Sequence, residues 1–169
     1  MAQISVIIPT LNAAEGVTKT LEPAARSPLV TERLVVDGGS TDDTVSVASR
    51  AGATIIKSSK GRGSQLAAGA DAAKGDWLLF LHADTVLENG WADHVENFLN
   101  RPEADQDAAV FRFALDDPEP AARRLEAMVA WRCRVLALPY GDQGLLISRA
   151  LYDQIGGYRP IPLYEDVDI

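Results

Sequence analysis

A run of apolar residues that ends in a polar tip, residues 75–85, constrains the fold of this chain more than any other stretch. After a glycine and an aspartate the run reads Trp-Leu-Leu-Phe-Leu, and it then changes abruptly to His-Ala-Asp-Thr. A short, continuously apolar run beside a turn signal is typical of a strand that is buried on both faces, as in a parallel sheet. Ligands of open α/β sheets bind outside the carboxyl ends of such strands. The stretch therefore predicts a buried strand whose end, with His82 and Asp84, faces a ligand or a metal.

The first hundred residues repeat a strand–helix alternation around this run. Runs rich in β-branched residues predict three further strands, at 4–9, 33–36 and 54–57. Helical patterns follow each strand, at 14–25, up to about residue 51, at 64–74 and from Trp91 to Leu99. Ser40 and Asp43 resemble a capping box at the start of the second helix. Four alternations predict an α/β fold with a parallel, doubly wound sheet.

After residue 100 the alternation stops. The remaining pattern predicts a strand at 108–115, a long amphipathic helix at 119–138, a short strand at 145–147 and a helix that Ser148 caps and Gly156 ends. The long helix carries Trp131 and four arginines. Such a helix could pack on the sheet, on a partner or at a membrane surface. Core packing is the expectation that we favour, and a homodimer formed through this helix is the second.

Composition excludes several classes of protein. The 169 residues, 47% hydrophobic and 24% charged, suit one soluble domain with a sizeable core. A net charge of -8 argues against nucleic acid as a partner, so a phosphorylated ligand would need a local cation. The single cysteine, Cys133, allows no intrachain disulfide and no cysteine-based zinc site. The chain shows neither a signal-peptide pattern nor an apolar run near the roughly 18 residues of a spanning helix, which predicts a cytoplasmic protein.

Polar residues follow three of the predicted strands, where a purely structural account does not require them. They are Thr10, Asn12 and Glu15 after the first strand, Asp37 after the second, and His82 and Asp84 after the fourth. Each alone could be a turn former or a helix cap. Because the carboxyl ends of parallel strands lie at one edge of a sheet, all of them should converge on one crevice, which favours a function. Familiar motifs do not identify it: the chain has no phosphate-binding P-loop, no complete dinucleotide fingerprint and no calcium loop.

Residues 5–12, 35–44 and 80–85 closely resemble the motifs of a family 2 glycosyltransferase of the GT-A fold. Gly-Asp-Gln-Gly at 141–144 and Glu-Asp at 165–166 extend the resemblance along the chain. The Gly-Asp-Gln and His-Ala-Asp forms are most similar to the bacterial radical-SAM/selenodomain-associated subgroup. The resemblance implies one GT-A domain over 1–169, with a Rossmann-like, mostly parallel sheet flanked by helices and a mixed C-terminal part. Residues 1–100 would form the nucleotide-sugar-binding half and 101–169 the acceptor-side half.

The resemblance also implies a nucleotide pocket for a nucleotide-diphospho-sugar donor. Its lining residues would be Pro9, Thr10, Asn12, Glu15, Asp37, Gly38, Lys60, Arg62, His82 and Ala83. Within this set, Asp37 would hydrogen-bond the base, usually uracil. Lys60 and Arg62 would supply the local cations that an acidic protein needs, although a solvated basic loop is the alternative interpretation.

Asp84 matches the last carboxylate of the family's Asp-x-Asp motif, which holds Mg²⁺ or Mn²⁺ on the donor diphosphate. His82 stands where the first aspartate usually is. A neutral imidazole can ligate Mn²⁺ or hydrogen-bond the ribose, but it brings no negative charge, so the departure bears on metal affinity and metal choice. We still expect a divalent cation, Mg²⁺ or Mn²⁺, with Asp84 and His82 as its protein ligands.

On the acceptor side the resemblance implies roles for Gly141, Asp142 and Gln143 and, in the Glu165–Asp166 motif, for a general base at Asp166. A solvated acidic pair is the alternative for the last two residues. The family continues beyond this motif with an arginine-rich helix, which leaves open whether the acceptor side is complete.

Together these implications predict an inverting glycosyltransferase that uses a nucleotide-sugar, with UDP favoured, and an acceptor hydroxyl that the sequence does not identify. Two alternatives stand beside it. One is a nucleotide-sugar-binding or assembly protein without turnover. The other is a sugar-phosphate nucleotidylyltransferase, which should carry a basic, glycine-rich loop after the first strand that this chain lacks at 10–15.

Overall fold

The computed structural model describes residues 2–136 and 143–159. Its strands are β1 (Ile4–Thr10), β2 (Val30–Asp37), β3 (Thr54–Lys57), β4 (Trp77–Phe80), β5 (Ala108–Val110) and β6 (Leu145–Ser148). Its α-helices are α1 (Val17–Arg26), α2 (Thr44–Arg50), α3 (Arg62–Ala72), α4 (Trp91–Leu99), α5 (Pro120–Leu136) and α6 (Arg149–Ile155), and a short 3₁₀ turn covers Ala104–Gln106. No helix in these two ranges is long and apolar enough to cross a membrane.

The six strands form one sheet in the order β3-β2-β1-β4-β6-β5. The pairs β2–β3, β1–β2 and β1–β4 are parallel, whereas β6 runs antiparallel to both β4 and β5. The predicted α/β sheet, parallel at first and mixed after residue 100, is thus confirmed. The chain order reverses between β1 and β4, and such a switch point opens a crevice at the carboxyl ends of the two strands.

The central strands are covered on both sides. Alternate side chains of β1 and β4 enter two separate apolar clusters, with Val6 and Leu79 in one and Ile7 and Leu78 in the other. All four residues of β4 are buried, which confirms the two-sided burial expected of the apolar run. Helix α3 comes close to the sheet, since a Cβ at Gly69 would clash with Cγ2 of Ile7. This close packing brings the beginning of α3 under the ends of β1 and β2.

Two local expectations were wrong. The strand predicted at 108–115 ends at Val110. The backbone groups of the next residue, Phe111, pair with Gln143: the Phe111 N–H donates to the Gln143 carbonyl at 3.0 Å and its carbonyl accepts from Gln143 Nε2 at 3.1 Å. Further on, those of Leu115 bind Glu126 and Arg123 of α5, both at 2.7 Å. The capping box is also absent, because Asp43 makes no side-chain cap and the Ser40 hydroxyl donates elsewhere. By contrast, the Ser148 cap of α6 is confirmed by its 3.0 Å bond from the Leu151 N–H. For the helix expected at 119–138, residues 137 and 138 lie outside the described ranges.

Candidate functional site

The ends of β1 and β2 meet at the carboxyl edge of the sheet, as the sequence predicts. Thr10 and Asp37 are register partners in the two parallel strands, and both are buried. The Gly38 N–H continues the pairing by donating to the Thr10 carbonyl at 2.9 Å. Of the other predicted lining residues here, Pro9 is half-buried, whereas Asn12 and Glu15 are exposed in the loop that follows. The loops after the two strands therefore begin side by side.

The Asp37 carboxylate is held by its own turn. Its Oδ2 accepts from the N–H groups of Gly39 and Ser40, both at 3.0 Å, and its Oδ1 accepts from the Ser40 hydroxyl at 2.5 Å and the Thr10 hydroxyl at 3.4 Å. Burial raises the pKa of Asp37, but these hydrogen bonds together outweigh it and leave the pKa below its usual value. Asp37 is thus ionised at neutral pH, and its hydrogen bonds hold the turn that follows β2.

Replacing Asp37 by Asn is expected to reduce the free energy of unfolding by about 1–3 kcal/mol at neutral pH, because charge-assisted bonds to a nearly buried group are lost. Because the pKa of Asp37 is lower in the folded state, the carboxylate stabilises the fold at any pH above the usual pKa of 3.8. This stabilisation is lost as the pH falls through the folded-state pKa. The gap between wild type and variant should therefore close in acid. Urea unfolding over a pH series measures it, with Asp43→Asn, an exposed carboxylate in the same loop, as the control. A gap that is independent of pH would contradict this role.

The loops after β1 and β2 are bound to each other. Asn12 adopts a left-handed φ of 53°, and its Oδ1 accepts from the Thr41 N–H at 2.8 Å. The Asn12 N–H donates to the Ser40 hydroxyl at 2.9 Å. Two more bonds join the loops, Ala13 N–H to Thr44 Oγ1 at 2.7 Å and Ala14 N–H to Asp42 Oδ2 at 3.2 Å. Asn12 and Asp37 thus belong to one hydrogen-bonded pair of loops rather than to separate turns.

Gln65, which sequence reasoning missed, supports this unit from below. Its side chain is buried on α3, and its Nε2 donates to the carbonyl of Thr10 at 2.8 Å and to that of Val36 at 2.7 Å. The same amide packs against Gly38, where an added Cβ would lie 3.1 Å from it. A lone polar residue on an inward helical face was the only signal for it in the sequence.

Gln65→Met is expected to lower the free energy of unfolding by about 1–3 kcal/mol, because two strand-end carbonyls lose a donor in a buried place. Hydrogen exchange of the Gly38, Gly39 and Ser40 amides should accelerate more than exchange in the rest of the sheet. Urea unfolding and amide exchange measure the two effects. Gln106→Met, at an exposed glutamine, is the matched control. Unchanged exchange at 38–40 would show that Gln65 does not hold the turn.

The loop after β4 rests on the beginning of α1. The carbonyl of His82 accepts from the Thr85 N–H at 3.2 Å and from the Thr20 hydroxyl at 3.4 Å. A Cβ at Gly16 would lie only 2.9 Å from the Ala83 carbonyl oxygen, so this position suits a glycine. Asp84 itself is exposed. The loop is therefore anchored through its backbone, which leaves the Asp84 carboxylate available for a ligand.

His82 and Arg62 line one small pocket at the end of β4. The other lining residues are apolar or aromatic: Leu66, Phe80, Leu81, Leu145 and Tyr158. Of the two predicted cations, Arg62 thus comes to the strand end, whereas Lys60 lies in an exposed part of the loop before α3. A guanidinium and an imidazole thus come together at the end of β4.

The carboxylate of Asp84 and the imidazole of His82 are the possible metal ligands predicted at this edge of the sheet. Within the described ranges, no group of three or more His, Cys, Asp or Glu side chains could hold a metal ion. Mg²⁺ is commonly bound through one or two carboxylates together with substrate phosphates, and Mn²⁺ accepts the same oxygen ligands and also imidazole. Asp84 and His82 are donors of these types, two positions apart at the end of β4, and their role as metal ligands stays a prediction.

The acceptor-side predictions are met only in part by described residues. Gly141, Asp142, Glu165 and Asp166 lie outside the described ranges. Gln143 is described and buried: its Nε2 donates to the Phe111 carbonyl at 3.1 Å and its Oε1 accepts from the Cys133 thiol at 3.0 Å. This amide joins α5 to the segment after β5, and its acceptor-side role stays a prediction.

Comparison with known proteins identifies the family of this chain. A family model described as "Glycosyl transferase family 2" matches residues 5–161. A PGL/p-HBAD biosynthesis glycosyltransferase of Mycobacterium tuberculosis is 41% identical over 91 residues, which cover 49% of this chain and 36% of the relative. An uncharacterized glycosyltransferase of Rickettsia felis is 34% identical over 97 residues, 57% of this chain and 34% of the relative.

Solved structures show the same likeness over more of the chain. Glucosyl-3-phosphoglycerate synthase from Mycobacterium tuberculosis, in complex with Mn²⁺, UDP and glucosyl-3-phosphoglycerate, has 26% identity and a TM-score of 0.64, covering 88% of this chain and 57% of that one. Mannosyl-3-phosphoglycerate synthase from Rubrobacter xylanophilus has 21% identity and a TM-score of 0.64, with 89% of this chain and 54% of that one covered. At this identity the likeness shows the fold alone. The chain thus spans 36% of the mycobacterial relative and little more than half of these structures.

Proposed function

This chain belongs to glycosyl transferase family 2 and has a GT-A-like α/β fold, and we propose on this basis that it transfers a sugar from a nucleotide-diphospho-sugar to an acceptor hydroxyl. The observation that carries the proposal is the joined pair of loops after β1 and β2, with Asn12 and Asp37, beside the Asp84 loop at the same edge of the sheet. That edge lies at the switch point where open α/β sheets bind their ligands.

A UDP-sugar is the donor that we favour. The related glucosyl-3-phosphoglycerate synthase has been solved with UDP and Mn²⁺ and with UDP and Mg²⁺. In this chain the base would lie against the turn at Asp37 and Gly38, with Thr10 beneath it. Arg62 would meet the diphosphate, because it is the cation that lies beside His82 at the end of β4. Glu15 and Lys60, both exposed, would stand at the rim of the pocket.

Asp84 and His82 would hold a divalent cation on that diphosphate. A bound cation there supplies charge neutralisation for a departing nucleotide diphosphate. Asp84 provides the negative charge of this pair, and His82 provides a nitrogen ligand or a hydrogen bond to the donor. Ala83 places the two side chains two positions apart, and its carbonyl against Gly16 fixes the backbone between them.

Inversion at the anomeric carbon is the stereochemistry that we propose. In this reaction the Asp166 carboxylate takes the proton from the acceptor hydroxyl. The acceptor oxygen attacks the anomeric carbon, and the bond from that carbon to the nucleotide diphosphate breaks. Glu165 would position the base, and Gly141, Asp142 and Gln143 would lie beside the acceptor. These roles rest on the family motifs, as does membership in the radical-SAM/selenodomain-associated subgroup.

The second candidate is a nucleotide-sugar-binding protein without turnover. The imidazole of His82 favours it, because the first carboxylate of the usual metal motif is missing. A sugar-phosphate nucleotidylyltransferase has no such support, since residues 10–15 carry no basic side chain.

The test is UDP release from a panel of UDP-sugars, with and without Mn²⁺, alongside thermal unfolding of the protein with UDP. We expect UDP to raise the melting temperature, more so with Mn²⁺, and at least one UDP-sugar to release UDP, with water taking the sugar in the absence of an acceptor. Stabilisation by UDP without release from any donor would favour the binding protein. No stabilisation by UDP or another nucleotide diphosphate would reject both candidates.

A further inference from the structure

Helix α5 leaves an apolar face in solvent. Its buried side includes Ala122 and Val129, each 5% exposed. On the other side lie four large apolar side chains, Leu125 (40% exposed), Met128 (59%), Trp131 (57%) and Val135 (57%). Spacings of three, three and four residues align them along one face of a helix, and we call these four residues the apolar stripe. A row of large exposed apolar side chains marks an interaction site more often than a solvated face.

The charges around the apolar stripe are positive. With 3.6 residues per turn, Arg124 lies within the stripe and Arg134 lies about 60° beyond Trp131 around the helix, and both arginines are exposed. No acidic residue occurs from residue 127 to the end of α5. The nearest acid before it, Glu126, is bonded to Arg123 at 2.7 Å on the opposite side. An acidic chain of net charge -8 thus carries a basic, apolar helix face.

This helix lies beside the functional edge of the sheet. The Cys133 thiol of α5 donates to the Gln143 side chain at 3.0 Å. The next residue, Gly144, touches the end of β4, since an added Cβ would lie 3.2 Å from the Phe80 carbonyl oxygen. A surface that α5 contacts would therefore lie near the carboxyl edge, where the donor site is proposed.

We propose that the apolar stripe docks this protein on an anionic lipid surface. The stripe supplies the apolar face of an interfacial helix, Trp131 suits the headgroup level, and Arg124 and Arg134 meet the negative lipids. A second copy fits less well, because symmetric pairing through the stripe would bring the arginines of both helices together. The docking goes beyond the proposed function and holds without it. If both hold, the acceptor hydroxyl belongs to a molecule carried by the lipid surface.

The three tryptophans make the docking measurable. Trp77 and Trp91 are each 8% exposed, so Trp131, at 57%, dominates any response to a surface. With vesicles of phosphatidylcholine and phosphatidylglycerol, we expect a blue shift of tryptophan emission, weaker acrylamide quenching and cosedimentation of the protein. Vesicles of phosphatidylcholine alone, or high salt, should give much less binding. Trp131→Phe should still sediment with the anionic vesicles but lose the spectral shift.

Variants separate the apolar and the charge contributions. Met128→Ser/Val135→Ser and Arg124→Glu/Arg134→Glu should each weaken partitioning to anionic vesicles at least about tenfold. Ile155→Ser, which removes a 45% exposed side chain on α6, is the control and should bind as wild type does. Circular dichroism checks that each variant is folded. Absence of binding at low salt, or binding that neither double variant weakens, would overturn the proposal. So would a dimer in solution that Met128→Ser/Val135→Ser dissociates, because the second copy would then be the occupant.

Discussion

Replacing Asp84 by Ala is expected to abolish the Mn²⁺-dependent part of the stabilisation by UDP. Asp84 is the exposed carboxylate at the end of β4, and His82 brings no negative charge to the same loop. Removing even an outer-shell partner of a metal site typically weakens metal binding about 10–100-fold, so loss of the carboxylate ligand should cost at least about 100-fold. Stabilisation by UDP in the absence of metal should persist, because the turn at Asp37 is unchanged.

The variant should fold normally, since Asp84 is not what anchors its loop. The anchors are the His82 carbonyl, which accepts from Thr85 and Thr20, and the close approach of Gly16 to Ala83. Thermal unfolding with UDP, over a titration of Mn²⁺, measures the effect. Asp76→Ala removes an exposed carboxylate from the opposite end of β4 and should respond to Mn²⁺ as wild type does. An equal response of the Asp84 variant would remove this residue as a metal ligand.

The alternation of strands and helices was predictable because it depends on local apolar patterns. The apolar run at 77–81 identified β4 as a strand buried on both faces. The bounds predicted for β3, Thr54–Lys57, are those of the structure. The errors arose where distant side chains decide. The strand ends at Val110, where Gln143, more than thirty residues later, binds both backbone groups of Phe111. Such a contact leaves no periodic signal in the sequence.

The site was predictable to the level of strand ends and no further. Thr10 and Asp37 lie side by side because β1 and β2 are parallel neighbours. The alternation of strands and helices in the sequence is enough to predict such parallel pairing. The supports of that edge were not predictable, because Gln65 and Gly16 act through tertiary contacts with the ends of β1 and β2 and with the Asp84 loop. Chemical roles came from family motifs, since a strand-end carboxylate is equally suited to a cap, a metal or a base.

Replacing Asp166 by Asn is expected to have the largest effect on turnover, a fall of about 10²–10⁴-fold, because an amide of the same size cannot take a proton from the acceptor. UDP binding and its dependence on Mn²⁺ should be unchanged, which separates this variant from Asp84→Ala. UDP release with a donor and acceptor that wild type uses measures turnover, and thermal unfolding measures binding. Asp168→Asn, two residues along the chain, is the matched control. Turnover at the wild-type rate in Asp166→Asn would assign the general base to another residue, whereas an equal loss in both variants would mean that the acidity of this segment, not one base, is needed.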